Sequence, residues 1–269
     1  MLGPKPLVVC GLVSALYAGT LGDLVRDWMS DPALSHGLLI PPAALLVAGA
    51  RRAELFSHPP RREARGLALV AIGCAMYLAG KLAAEIFLAR LSFLVLCAGL
   101  LWVYWGAVRL RVLALPLLLL GTAIPLPGLL YGSLTGPLQL FASAAATAIV
   151  QAFGVAVHRE GNIIQLAHIS LGVEEACNGL NALSALVVAA LLLASLICSR
   201  LPARLALLAL APPLAVAVNV VRVAGTALLS DRNHEAAMGF YHLFSGWLVF
   251  LGGFAALYAA ALVIHKTLD

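Results

Sequence analysis

The chain has 269 residues, of which 62% are hydrophobic and 11% are charged, and its mean hydropathy is +1.01. A soluble domain is roughly 25% charged and about 45–50% apolar, so this composition excludes an ordinary soluble protein and predicts an integral membrane protein. The net charge of +5 could suggest nucleic-acid binding, but the basic residues stand in short clusters between apolar runs. That pattern is typical of membrane topology, and we expect a lipid bilayer and no nucleic acid as partner.

Eight apolar runs along the chain are candidates for membrane-spanning helices, each of which needs about 20 mainly apolar residues. We therefore expect an all-α polytopic membrane protein with about eight transmembrane helices, in which residues 1–269 form a single domain. The second run is short and contains Pro41 and Pro42, so it requires either a kink or a neighbouring helix that tolerates the prolines. The runs cover residues 7–24, 37–50, 66–84, 91–108, 112–130, 178–197, 205–229 and 243–265.

The first run has an alternative interpretation as the hydrophobic region of a cleaved signal peptide. Residues 7–22 have a suitable length and are followed by small residues, but Lys5 is the only basic residue before them. Because seven further runs already anchor the chain, we favour a retained helix.

The distribution of charge predicts the orientation of the chain in the membrane. With the N-terminus in the cytoplasm, most Lys and Arg residues fall on the inner side and most Asp and Glu residues fall at or near the outer side. Residues 133–157 would reverse this arrangement if they formed a ninth crossing. We interpret them as an outer, interfacial or re-entrant helix, because Gln139, Ser143, Thr147 and Gln151 recur every four residues and mark a polar face.

A cysteine follows this segment at the expected start of a membrane helix. Residues 162–173 read NIIQLAHISLGV after the turn residues Gly161 and Asn162, which predicts a short outer β-like hairpin. The next apolar run puts Cys177 in the first turn of a helix, where unpaired backbone N–H groups and the helix dipole lower a cysteine pKa. Asn178 and Gly179 leave space for a substrate backbone. The alternative is a buried cysteine that simply begins a helix.

The residues around Cys177 do not indicate a metal site or an organic cofactor. The other four cysteines fall inside apolar runs and have no metal-ligand spacing, so they are interpreted as small hydrophobic residues. Glu174 and Glu175 could orient a catalytic side chain or attract a basic peptide flank. They could equally be surface acids that are stabilised at a helix start.

Two further polar features occur in the last two apolar runs. Arg222 lies within an otherwise apolar run, and a charged residue in a membrane span is a functional-site hypothesis, with a snorkelling arginine as the alternative. Asn219 lies three residues earlier and therefore on the same helix face. His242 directly precedes the last run and His234 lies in the loop before it. A cysteine with a histidine suits acyl transfer, and the arginine could stabilise the thiolate or the oxyanion.

The motifs HREGN, ACNG, NVVR and HLFSG follow one another in this order, and an early segment reads DWMSDPALSHGLLIPP. Over nearly its whole length the chain resembles the exosortases of the exosortase/archaeosortase family. The resemblance implies an eight-helix cysteine transpeptidase of the bacterial inner membrane, with its active site on the outer face and Cys177, Arg222 and His242 as catalytic residues. Many relatives have serine where this chain has Asn178.

The resemblance also implies the substrates and the reaction. The expected substrates are membrane-anchored proteins with a C-terminal PEP-CTERM-type signal, which consists of a short Pro-containing motif, a transmembrane helix and a basic tail. Cleavage through a cysteine thioester would end in transfer to an amine or in hydrolysis, and the residues do not decide between these outcomes. His36 and His168 are secondary candidates for shaping the site.

Other functional classes explain less of the pattern. A non-catalytic scaffold of a polysaccharide or secretion system accounts for the hydropathy but gives Cys177, Arg222 and His242 no joint purpose. A transporter would favour paired repeats with broken or charged midplane segments, which the sequence lacks. A metalloprotease is disfavoured because the sequence contains no HExxH motif.

Overall fold

The computed structural model describes residues 4–31, 34–173, 180–233 and 240–268, and gives only the backbone for residues 4–6, 180, 181 and 240–243. These residues form helices and one small sheet, arranged in two compact units, Met1–Pro127 and Gly128–Asp269. The helices are α1 (Pro4–Ser30), α2 (Ile40–Ala50), α3 (Arg52–Ser57), α4 (Gly66–Leu82), α5 (Ile86–Thr122), α6 (Gly128–Ala152), α7 (Leu180–Leu196), α8 (Leu201–Arg232) and α9 (Phe240–Leu268), with a 3-10 helix at Ser35–Leu38 before α2.

The helices confirm a polytopic membrane protein. Within the described ranges, five helical stretches are long and apolar enough to cross a membrane, and three shorter apolar helices accompany them. The predicted number of eight crossings stays a prediction, as does the single domain. The long stretches are Leu7–Ser30, Ile86–Thr122, Gly128–Ala152, Leu201–Arg232 and Phe244–Leu268, and the shorter ones are Ser35–Ala50, Gly66–Leu82 and Ala182–Leu196.

In the first unit, α4 packs closely against the first half of α5. Gly66, Gly73 and Gly80 occur every seventh residue of α4 and face the neighbouring backbone. A Cβ built on Gly73 would lie 2.9 Å from the backbone N of Leu96, and one on Gly80 would lie 2.7 Å from that of Ala89. Small residues at these positions let the two helices approach, as is common between membrane helices.

The chain reverses direction inside α5. Gly106 has φ +86° and ψ 165°, a backbone conformation that residues with a side chain rarely adopt. A Cβ built on Gly121 would lie 3.8 Å from Leu94 Cδ1, so the second arm of α5 returns along the first. Runs 91–108 and 112–130 are therefore separate helical arms as predicted, but the reversal lies at Gly106, inside the first predicted run. The second run was extended too far, because the helix ends at Thr122, before Pro125 and Pro127.

The loop before α4 forms hydrogen bonds with α5 on both sides of this reversal. The Glu63 carboxylate accepts hydrogen bonds from Trp102 Nε1 at 2.8 Å and from the backbone N of Ala107 at 3.2 Å. Arg109 donates from Nε and Nη2 to the carbonyl oxygen of His58 at 3.0 and 2.8 Å. These two hydrogen bonds hold the pKa of the Glu63 carboxyl below its usual value, and the one from Trp102 contributes more than the one from Ala107.

The prolines of the second apolar run do not require a kink. Pro41 and Pro42 lie in the first turn of α2, where a backbone N–H has no partner within the helix. Gly37 precedes them, and the Trp28 indole occupies the space that a side chain at Gly37 would need. The indole Nε1 donates to the carbonyl oxygen of Ala123 at 2.9 Å, which ties α1 to the end of α5.

In the second unit, α6 precedes a three-stranded antiparallel sheet with the order β1 (Val157–Glu160), β2 (Ile163–Leu166) and β3 (Ser170–Gly172). Strand β1 pairs with β2 across the turn at Gly161, whose φ is +62°. Strand β2 pairs with β3, with Gln165 opposite Ser170. The predicted hairpin is therefore present as a sheet of three strands, and its outer location stays a prediction.

The polar stripe of α6 does not form one water-facing surface. Ser143 and Thr147 are buried, and Ser143 Oγ donates to the carbonyl oxygen of Gly161 at 3.1 Å. Gln151 Nε2 donates to the carbonyl oxygen of Val157 at 3.2 Å. These side chains therefore hold the sheet against the helix. The predicted polar face is not a surface that faces water, and it gives no reason to expect an interfacial helix. With 25 residues, α6 is also long and apolar enough to cross a membrane.

Candidate functional site

Helices α7, α8 and α9 of the second unit pack around a layer of close contact. A Cβ built on Gly253 of α9 would lie 3.2 Å from Leu186 Cδ1 of α7 and 3.3 Å from Val218 Cγ2 of α8. The missing side chain at Gly253 therefore lets the three helices approach one another. At the far end of this bundle, Arg204 Nε donates to the carbonyl oxygen of Cys198 at 3.0 Å, so α7 and α8 run antiparallel.

The opposite end of the bundle brings together the start of α7, the second half of α8 and the start of α9. Toward this end, Leu180 lies six residues from Leu186 in α7, and Arg222 lies four residues from Val218 in α8. In α9, Gly246 lies seven residues from Gly253 in the same direction. At 1.5 Å per residue these are displacements of about 6–10 Å along the helices. Arg222 thus lies at a depth similar to that of the first turn of α7.

Arg222 lies close to the backbone of α9 at Gly246. A Cβ built on Gly246 would lie 3.7 Å from Arg222 Nη2 and 3.8 Å from Arg222 Cζ. A Cβ at position 246 would therefore be in van der Waals contact with the guanidinium. Residue 242 precedes Gly246 by four residues within α9, so its backbone lies one helical turn away.

The buried face of α8 includes Asn219, which precedes Arg222 by about one turn. Asn219 is only 3% exposed and lies three residues before Arg222, which is half-buried. Val221, which points elsewhere on the helix, is 62% exposed. Thr226 Oγ1 donates to the carbonyl oxygen of Arg222 at 2.9 Å. The predicted shared face of Asn219 and Arg222 agrees with this burial.

The sheet holds the chain in place just before the segment that contains the cysteine. Val173 donates its backbone N–H to the carbonyl oxygen of Asn162 at 2.9 Å, and Asn162 Nδ2 donates to the carbonyl oxygen of Val173 at 3.2 Å. The Val173 side chain is buried in the same apolar cluster as Val223 and Ala224 of α8. Val173, the last described residue before segment 174–179, therefore lies beside the stretch of α8 that carries Arg222.

Several predicted site residues lie outside the described part of the chain. Segment 174–179 contains Glu174, Glu175, Cys177, Asn178 and Gly179, and segment 234–239 contains His234. His242 belongs to the first turn of α9, and its side chain also lies outside the description. Among the predicted catalytic residues, Arg222 is therefore the one with a described side chain.

The secondary histidines occupy different places in the fold. His36 is half-buried in the 3-10 helix of the first unit, next to Gly37. His168 is exposed in the turn between β2 and β3 of the second unit.

The structure adds Gly246 to the site, although the sequence analysis did not select it. The available signal was the HLFSG motif, in which a glycine follows the candidate histidine by one helical turn. Ser245, which precedes it, is 3% exposed and was also overlooked. In the described ranges, no group of three or more His, Cys, Asp or Glu side chains could hold a metal ion.

Comparison with protein families places the chain in a known group. A family model of the transmembrane exosortases matches residues 28–259, a stretch that contains Asn219, Arg222 and Gly246. No curated protein and no solved structure matches the chain. Since the matched region covers most of the sequence, the chain belongs to the transmembrane exosortase family.

Proposed function

We propose that the protein is a cysteine protease or transpeptidase of the inner membrane that cleaves C-terminal PEP-CTERM-type sorting signals of exported proteins. The observation that carries the proposal is the position of Arg222 at the end of the bundle where α7 and α9 begin, with its guanidinium beside Gly246. Family membership supports the processing of sorting signals in general. The specific signal, the outer-face site and the catalytic residues belong to the proposal.

In the proposed first step, the Cys177 thiolate attacks the scissile carbonyl carbon of the docked substrate. The resulting oxyanion is stabilised by the Arg222 guanidinium, which is always charged and presents several N–H donors. His242, as the imidazolium, donates a proton to the leaving amine while the carbon–nitrogen bond breaks. The substrate remains bound to Cys177 as a thioester.

In the second step, an amine or water attacks the thioester and releases Cys177. An amine gives transpeptidation and water gives hydrolysis, with His242 accepting the proton of the nucleophile. We assign supporting roles to the other residues that the sequence analysis selected. Glu174 and Glu175 would attract the basic flank of the substrate, Asn178 and Gly179 would admit its backbone, and His36 and Asn219 would shape the site.

The decisive experiment compares wild type with Cys177→Ala in cells that co-express a panel of tagged substrates with PEP-CTERM-type signals. Gel shift would detect loss of the C-terminal tail, and mass spectrometry of the new C-terminus would separate hydrolysis from transfer. We expect the wild type to remove the tail and Cys177→Ala to leave it intact, because the nucleophile is lost.

Cys74→Ala is the matched control, since Cys74 is an exposed thiol on α4 of the other unit. It should process substrates like the wild type. Unchanged processing by a well-expressed Cys177→Ala variant would exclude the thiol mechanism. If the wild type cuts no substrate of the panel, the result would count against the proposed signal and favour a non-catalytic scaffold.

A further inference from the structure

A cavity of about 470 Å³ opens in the first unit between the C-terminal part of α1 and the connection from α4 to α5. Charged side chains of both signs line it, namely Asp23, Arg26, Asp27, Lys81, Glu85 and Arg90. These charges stand at the ends of apolar helices, which is where a membrane helix passes from hydrocarbon to water. The cavity therefore lies at the membrane–water boundary.

Within the described part of the chain, two buried polar groups of this cavity have no hydrogen-bond partner. Arg90 is 5% exposed and donates from Nη2 to Asp27 at 2.6 Å, but its Nε has no acceptor. Thr20 is also 5% exposed, and its Oγ1 has no partner. Buried donors in folded proteins are nearly always paired. Both atoms are enclosed by protein in this structure, so a ligand that supplies acceptor atoms would reach them after the Thr20 and Arg90 side chains turn toward the cavity.

The charges that remain after internal pairing define the chemistry of this ligand. Arg26 pairs with Asp23 and Arg90 pairs with Asp27. In the described chain, no carboxylate lies within ion-pair distance of Lys81 and no cation within that distance of Glu85, whose carboxylate accepts the backbone N–H of Leu88 at 2.7 Å. Lys81 is exposed, and its Nζ lies 5.7 Å from the centroid of the Tyr77 ring. A ligand that pairs with both Lys81 and Glu85 carries an anionic oxygen and an ammonium group.

The surroundings of the cavity favour a lipid over a soluble molecule. Leu82 and Ile86 flank the connection between α4 and α5, and they are 88% and 62% exposed. Large apolar side chains beside a charged cavity can contact acyl chains while the headgroup enters the cavity. We propose that this cavity binds the headgroup of a phospholipid with a phosphodiester and a primary ammonium group, as in phosphatidylethanolamine.

In this arrangement the phosphodiester oxygens accept hydrogen bonds from Thr20, Lys81 and Arg90, and the ammonium group donates to Glu85. Phosphatidylglycerol lacks the ammonium group, and phosphatidylcholine carries a quaternary ammonium that has no N–H to donate. The site should therefore distinguish three lipids that share the same phosphodiester and the same acyl chains.

The test is native mass spectrometry of the full chain, purified and delipidated in detergent and then mixed with one dioleoyl lipid at a time. We expect phosphatidylethanolamine to be retained about tenfold more than phosphatidylglycerol or phosphatidylcholine, as for loss of one charge-assisted hydrogen bond. Equal retention of the three lipids would overturn the proposal. Displacement of the lipid by free phosphoethanolamine at equal concentration would show that the acyl chains contribute nothing, and would also overturn it.

Three variants test the assigned contacts without removing the buried ion pair of Arg90. Glu85→Gln keeps an acceptor for the Leu88 N–H but should abolish the preference for phosphatidylethanolamine over phosphatidylcholine. Lys81→Met and Thr20→Val should each lower retention several-fold, because each removes one donor to the phosphodiester. Lys266→Met, in the last turn of α9, is the matched control and should bind like the wild type. Wild-type selectivity in Glu85→Gln, or wild-type retention in Lys81→Met, would contradict the proposal.

Discussion

Arg109 and Arg222 both lie in long apolar helices, but their surroundings differ. Arg109 is 8% exposed, donates twice to the carbonyl oxygen of His58, and stacks 5.6 Å from the Trp105 ring centroid. Arg222 is half-buried, and its guanidinium faces Gly246, where the neighbouring helix has no side chain. The first arginine holds a loop onto a helix, whereas the second lies between two helices of the proposed catalytic site.

This difference shows that an arginine in an apolar helix is not by itself a sign of a catalytic site. A buried cation is costly unless hydrogen bonds and aromatic faces compensate it, and the loop before α4 supplies that compensation to Arg109. Beside Arg222, the neighbouring residue of α9 is Gly246, so the α9 backbone lies near the guanidinium. Substitutions in the two regions should therefore separate stability from activity.

The largest effect is expected for Arg222→Gln. Loss of the charged donors should lower substrate processing by about 10²–10³-fold, the usual consequence of removing an oxyanion donor. The melting temperature of the purified protein should change little. Processing would be followed by mass spectrometry of the released tail. Normal processing by this variant would remove Arg222 from the mechanism.

The reverse pattern is expected for Arg109→Gln. This change removes charge-assisted hydrogen bonds to His58 and two aromatic contacts, so it should destabilise the protein by about 2 kcal/mol. The melting temperature in detergent measures the effect. The correctly folded fraction should still process substrate at the wild-type rate. A selective loss of activity without a change in melting temperature would end the distinction between the two arginines.

A smaller effect is expected for Gly246→Leu. The new side chain would displace the guanidinium of Arg222 and lower processing about tenfold, with a larger change in kcat than in KM because the lost interaction belongs to the transition state. Gly252→Leu is the matched control, since a Cβ at Gly252 meets no atom within 4 Å. Similar activities of the two leucine variants would show that the space at Gly246 is unimportant.

The smallest effect is expected for Glu63→Gln, and it should depend on pH. Because the folded state holds the Glu63 pKa below its unfolded value, ionised Glu63 stabilises the fold above the unfolded pKa, and this contribution is lost as the pH falls through the folded pKa. The variant should therefore melt at a lower temperature than the wild type near pH 7, and the difference should vanish in acid. Glu54→Gln, on the neighbouring helix α3, controls for loss of charge. A difference that persists in acid would contradict the assignment.

Much of the fold was predictable because hydropathy and turn chemistry act locally. The apolar runs, the break between residues 108 and 112 and the hairpin at Gly161 each follow from short stretches of sequence. The polar stripe of α6 was misinterpreted because periodicity reveals that residues share a face but not what covers that face. There the sheet, through the carbonyl oxygen of Gly161, satisfies Ser143.

The sequence by itself determined that this chain is a polytopic membrane protein, and its ordered motifs singled out Cys177, Arg222 and His242 as a group. Only the tertiary structure decided that Arg109 is compensated by a loop and that Arg222 faces Gly246. The physical reason is that the free energy of a charge in an apolar helix depends on the groups that surround it. Packing brings those groups together from distant parts of the chain, so local patterns do not specify them.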